Sequence, residues 1–145
     1  MFYGIGSGKL NIDKYVGIPH YFGESSFAKC DCIGLCRLFY REHGWMHIED
    51  GGEEPNQDNF SDLKYWRRLY AFCVNNMDKV DYDNLQYGDF VIFKVEGDLH
   101  TGIYLEYGKL LSMQIPTVYG KTTSTVYHRR WWTPFFKYAF RRRKV

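Results

Sequence analysis

Apolar residues recur at three- and four-residue intervals through the first half of the chain and alternate with polar ones from Tyr87 onward. The segment "IDKYVGIP" has helical spacing and ends at Gly17 and Pro19, which predicts a short helix with a breaker behind it. A helix of about three turns is expected from Asp31 to His43, with Leu35, Leu38 and Phe39 on one face, Arg37, Arg41 and Glu42 largely on the other, and Gly44 as its stop. Beyond the Gly-, Glu-, Pro- and Asn-rich stretch at 51–59, "SDLKYWRRLYAFCVNN" offers Ser61 and Asp62 as caps and apolar positions at 63, 66, 69, 70 and 73. The period then becomes two. "DFVIFKV", "HTGIYLEY", "KLLSMQI", "STVYH" and "FFKYAF" are short, β-branched or aromatic, and bounded by Gly, Pro or Asn. Helices followed by hairpin-connected strands predict an α+β domain with an antiparallel sheet.

The 145 residues contain no internal repeat, so a single domain over 1–145 is expected. No stretch approaches the ~18 apolar residues of a membrane span, and "MFYGIGSGKLNIDK" carries charges and glycines where a secretory signal needs an apolar run. Net charge is +2, from 19 basic and 17 acidic residues, which argues against a dedicated nucleic-acid binder. The charges are nevertheless clustered: "HRR" at 128–130 and "RRRK" at 141–144 are cationic, and "EDGGEEPNQD" at 49–58 is acidic. Two readings fit the basic cluster, a solvated face with an exposed tail or a docking surface for an anionic wall polymer or a protein.

Cysteines stand at 30, 32, 36 and 73. The C-x-C-x3-C spacing is poor for zinc and lacks a second close pair, so neither a metal nor another cofactor is expected. Synthesis in a reducing cytosol disfavours disulfides, and Cys36 and Cys73 read most simply as buried small hydrophobes. Cys32 is different. Asp31 is a good N-cap, which places Cys32 in a first helical turn, where unpaired N–H groups favour a thiolate and can hold an oxyanion.

A nucleophilic thiol needs an imidazole beside it. His43 lies ~16 Å of helical rise from Cys32, and His47 lies beyond it. Arginines flank His128 and oppose its protonation. His20, in "GIPHYFG", precedes the helix and can approach the site, but His100, at the start of a strand, is the best candidate. If Glu106, Tyr107 and Gly108 form a three-residue loop with Gly108 left-handed, residue 105 pairs with 109 and His100 faces Gln114, with Ser112 one diagonal step away. Either Ser112 or Gln114 can accept a hydrogen bond from the imidazole.

The stretches "YVGIPHYFGESSFAKCDCIGLCRLFYREHGW" and "LQYGDFVIFKVEGDLHTGIYLEYGKLLSM" resemble the NlpC family of papain-like cell-wall cysteine peptidases. More loosely, "TSTVYHRRWWTPFFKYAFRR" is similar to the closing strands of the branch found in bacteriophage tails. The resemblance implies a nucleophile heading a helix packed on an antiparallel sheet that carries the histidine. It also implies cleavage of peptide bonds in peptidoglycan stems, commonly the D-γ-glutamyl to diaminopimelate link. Carried over by position, Cys32 matches the nucleophile and His100 the base. The third polar residue, usually His, Asn or Gln, falls on Ser112, a shorter and weaker orienter that leaves Gln114 as an alternative. His20 stands where the family often has Tyr, and Ile33 where it often has Ser, so His20, Asp31 and Ile33 are oxyanion or substrate contacts by position.

The expectation is therefore a thiol endopeptidase acting on stem peptides through an acyl-enzyme, made in the host cytoplasm and carried in a virion tail beside other tail-tip proteins. Two rivals stand: a tail-assembly protein that keeps the fold without activity, and a hydrolase or transferase acting on lipid acyl groups or small amides.

Overall fold

The computed structural model describes residues 11–49, 63–114 and 122–144. The acidic stretch at 49–58, apart from Glu49, and the capping candidates Ser61 and Asp62 lie outside them. A 3₁₀ turn at Ile12–Tyr15 opens the described chain, in place of the short helix expected there. Helix α1 (Cys32–Glu42) and helix α2 (Leu63–Asn76) follow, then strands β1 (Met77–Lys79), β2 (Phe90–Val95), β3 (Asp98–Tyr104), β4 (Leu110–Met113) and β5 (Ser124–Tyr127), a helical turn α3 (Arg129–Trp132), and β6 (Phe136–Arg142). The strands form one sheet in the order β1-β6-β2-β3-β4-β5, antiparallel at every junction. The architecture is the α+β one expected. Among the described residues no helix is long and apolar enough to cross a membrane.

Both faces of the sheet are covered, which explains why β2 reads as an unbroken apolar run. Phe90 and Ile92 join Ile103, Leu111, Met113 and Phe140 beneath α1 and α2, while Val91 and Phe93 join Leu110, Ala139 and Trp132 on the other side. Trp132 closes that second core from α3, its indole N–H donating to the Gly108 carbonyl at 2.7 Å. Helix α1 is more enclosed than its amphipathic pattern suggests, because every residue from Cys32 to Tyr40 is buried. Arg37, expected on a solvated face, donates through Nε to the Ile48 carbonyl at 2.6 Å.

The C-terminal basic run is likewise no free tail. Arg141 forks onto Asp89, the Arg142 guanidinium lies 3.8 Å from the centre of the Trp45 ring, and Arg143 bonds Asp78. His128, Arg129 and Arg130 are exposed, as a solvated face requires.

Candidate active site

The N-terminus of α1 is built by Asp31. Its backbone is extended, its Oδ1 accepts from Gly34 N at 2.6 Å, and its Oδ2 accepts from Gly23 N at 2.7 Å. One carboxylate thus caps the helix and fastens the preceding loop to it. That loop crosses so closely that a Cβ on Gly34 would stand 1.9 Å from the Glu24 carbonyl oxygen, and Ser25 Oγ donates to the Gly34 carbonyl at 2.7 Å. The spacing D-C-x-G is therefore a steric requirement of this corner: an acceptor for the cap, then no side chain where the loop passes.

Cys32 is the first residue of α1 and only 4% exposed. Hydrogen bonding from Thr101 and from the Ile33 main chain favours the ionised form of its thiol. Burial nevertheless pushes it up to about 12, helped by the neighbouring Asp31 carboxylate and opposed by those hydrogen bonds. The thiolate expected from the helix N-terminus alone is outweighed, because desolvation penalises the charged form more than a few N–H dipoles favour it. Ile33 itself is buried in the core and contributes main chain rather than side chain.

His100 directly precedes Thr101 on β3 and pairs across the sheet with Phe93, its ring centroid 5.5 Å from the phenyl ring. Neighbouring strand residues leave on alternate faces, so Thr101 is directed at α1 while the imidazole rests on the Phe93 side. Burial lowers His100 to about 4, with the Asp98 carboxylate opposing. At neutral pH the thiol and the imidazole are thus both uncharged.

This has a consequence for stability. An unfolded imidazole takes up a proton near ~6.5, whereas the folded one resists until about 4. His100's contribution is present above ~pH 6.5, falls through the window below it and is gone beneath about pH 4, a loss of about 3 kcal/mol. Urea unfolding at a series of pH values is expected to show this slope for the native chain and a flatter one for His100→Gln.

The expected hairpin register is present. Gly102 pairs with Ser112, Leu105 N donates to Lys109 O at 2.8 Å, and Gly108 has φ +78°. Ser112 is buried and its Oγ donates to the Thr101 carbonyl at 2.8 Å. Gln114 is exposed, and its Oε1 accepts from Thr123 N and Oγ1, both at 3.2 Å. The structure thus joins Cys36, Thr101 and Ser112 in one hydrogen-bonded set, while the His100 ring lies against Phe93 on the other face of β3 and Gln114 is engaged with Thr123. His20 lies on a segment tied to the residue before the cap, since Cys30 N donates to Pro19 O at 3.0 Å and Tyr21 N to Cys30 O at 3.0 Å. Its ring is half-buried, edge-on to Phe22 at 4.6 Å, and burial lowers its pKa.

Cys30, Cys32, Cys36 and Cys73 are all buried free thiols. Among the described residues no group of three His, Cys, Asp or Glu side chains is placed to hold a metal. Thr101 is the contact that the motifs do not name. Strand alternation carries its signal, because a polar residue stands at a helix-facing position of β3.

An α+β domain whose capped helix presents a thiol to an antiparallel sheet defines the class. The NlpC/P60 family model matches residues 17–140, and the chain belongs to that family. Among solved structures it is similar to the NlpC/p60 domain of the peptidoglycan hydrolase SagA, at 18% identity and TM-score 0.60 over 95% of this chain and 96% of that one. NlpC1 from Trichomonas vaginalis is similar at 17% identity and TM-score 0.56, with 90% of this chain covering 41% of that one. The peptidoglycan hydrolase RipB from Mycobacterium tuberculosis is similar at 22% identity and TM-score 0.51, over 92% of this chain and 63% of that one. No curated protein sequence matches.

Proposed function

We propose that this chain is a cell-wall cysteine endopeptidase that cleaves an amide bond in a peptidoglycan stem peptide. The observation that carries the reading is Cys32 at the capped start of α1, packed against the sheet whose strand β3 carries His100. Family membership supports it, as do the peptidoglycan hydrolases among the similar structures.

In the proposed reaction the His100 imidazole turns from the Phe93 side of β3 toward the thiol, and Cys32 Sγ bonds to the scissile carbonyl carbon as its proton passes to that ring. The tetrahedral oxyanion forms beside the first-turn N–H groups, with His20 as a further donor from the neighbouring loop. The C–N bond then breaks, the imidazolium protonates the leaving amine, and water hydrolyses the thioester to a carboxylic acid, regenerating the thiol. Starting from two neutral groups suits this sequence, because proton transfer accompanies attack instead of preceding it. Catalytic hydrogen bonds commonly tighten only around substrate. His100 is oriented by its strand, where Ser112 fastens the neighbouring Thr101 carbonyl.

The tail-like pattern of residues 123–142 supports a virion-tail location, with tail-tip proteins as partners and the host wall as the place of action. One observation favours the rival reading of a catalytically weak tail-assembly protein: Ser112 and Gln114 already bond Thr101 and Thr123. Digestion of purified peptidoglycan decides between them. The endopeptidase is expected to release stem fragments with new amino termini, read by mass spectrometry. An intact wall after exposure to correctly folded protein would leave the assembly role.

A further inference from the structure

A cleft of about 480 Å³ lies between the approach to β2 and the β3–β4 loop, lined by Gln86, Tyr87, Tyr104, Glu106 and Tyr107 together with two leucines. Tyr87 bonds His43, the residue that follows α1, about 16 Å of helical rise from Cys32, so the cleft is separate from the thiol site. Two of its rings are held by hydrogen bonds. His43 Nδ1 faces the Phe39 carbonyl at 2.7 Å, and a carbonyl only accepts, so Nδ1 carries the proton and Nε2 receives the Tyr87 O–H at 2.9 Å. Tyr104 Oη accepts from Gly108 N at 3.1 Å, which leaves its own proton to donate. The third ring is placed under strain. Tyr107 is 87% exposed and has φ +59°, in the left-handed region that disfavours a residue with a Cβ. Gly or Asn would form the same loop more readily, so the turn itself does not call for an aromatic side chain. A strained residue that the fold does not need points to a use outside the fold.

We propose that this cleft binds a pyranose ring of a neutral glycan strand. Flat tyrosine faces suit the C–H face of a sugar ring, and the Gln86 amide, the Glu106 carboxylate and the tyrosine hydroxyls suit the hydroxyls around its edge. Size agrees, since about 480 Å³ lies within the ~300–1,000 Å³ of small-molecule clefts and exceeds what a lone ammonium group in an aromatic cage fills. Charge agrees too. The described residues that line the cleft include a carboxylate and no Lys or Arg, which disfavours a phosphate-bearing polymer or a nucleic acid. Assigning the glycan to peptidoglycan rests on the cell-wall reading: the cleft then grips the sugar strand of a substrate whose stem peptide is cut at Cys32.

The test is titration of the full chain with the tetrasaccharide of β-1,4-linked N-acetylglucosamine, which carries no stem peptide, read by calorimetry and by amide NMR shifts. A dissociation constant of about 1 mM or tighter is expected, with shifts concentrated at residues 85–87 and 104–107. Tyr107→Asn, which suits the left-handed backbone, should weaken binding about three- to tenfold while the thermal melt stays at or above the native one. Tyr107→Trp keeps an aromatic face and should bind within about twofold of native. Gln86→Ala retains the main-chain bond to Asp89 but loses the amide, and a weakening of about two- to tenfold is expected. Binding that Tyr107→Asn leaves undiminished, shifts that fall elsewhere, or no saturation at about ten times the expected constant would overturn the proposal. Saturation by choline with none by the tetrasaccharide would overturn it as well, in favour of an ammonium site. A tetrasaccharide that binds in the cleft while purified wall stays intact supports the cleft and rejects the hydrolase reading; wall cleaved by a chain that ignores the tetrasaccharide does the reverse.

Discussion

Cys32→Ala is expected to abolish release of stem-peptide fragments, lowering the rate by about four orders of magnitude or more. The size follows from the role: without Sγ no acyl-enzyme forms, and the remaining groups can only position water against an unactivated amide. The fold should survive. Cys32 is buried at the end of α1, but its removal deletes one small atom, leaves the Asp31 cap and Gly34 corner in place, and costs about 1 kcal/mol. The comparison therefore pairs a thermal melt close to native with loss of turnover, monitored as new amino termini in digested wall. Fragments released at an undiminished rate would remove Cys32 from the chemistry and with it the thiol mechanism. Alkylation adds an internal control. Cys30, Cys36 and Cys73 have no exposed surface, so labelling of the native chain should fall on Cys32 and vanish in the variant.

The corner that makes this prediction was legible in the sequence because its signals are local. An Asp before a helical pattern predicts a cap, and Asp31 is one. The β3–β4 hairpin was legible for a related reason: its three-residue loop fixes which residues face each other, and one slip would have turned Ile103 and Leu111 out of the core. Where partners are distant in sequence, the pattern was silent. Three-residue β1 follows α2 without a breaker and gains its identity from pairing with β6, some sixty residues later. The turn α3 is too short to show a period, so "HRRWW" reads as charge, although Trp132 closes a core there. The state of the thiol was hidden too. A helix start favours ionisation, but Cys32 lies buried in the folded chain, and burial raises the thiol instead.

The cationic C-terminus is the clearest case of long-range meaning, and it yields the largest expected effect on stability. Arg141→Ala should destabilise the fold by about 3–5 kcal/mol. Asp89, 1% exposed at the entry to β2, receives Arg141 Nε on Oδ1 at 2.9 Å and Nη2 on Oδ2 at 2.8 Å, while Gln86 N donates to the same Oδ2 at 2.8 Å. Arg141 Nη2 also donates to the Asn84 carbonyl at 2.6 Å, so one guanidinium on β6 secures the whole approach to β2. The asymmetry of the pair decides which substitution costs more. Arg141 is partly exposed and can regain water if its partner is lost, whereas Asp89 without Arg141 is a carboxylate sealed in the fold with Gln86 N as its donor. Arg141→Lys keeps a charge but cannot fork, and should fall between the native chain and Arg141→Ala. Asp89→Leu combined with Arg141→Leu removes the orphaned charge, and is expected to recover part of the loss despite deleting more hydrogen bonds. Urea unfolding of the four proteins at one pH measures these differences. If Arg141→Ala unfolds within about 0.5 kcal/mol of the native chain, the pair is an ordinary surface contact and the β2 entry is held by main-chain hydrogen bonds such as Tyr104 N to Asp89 O alone.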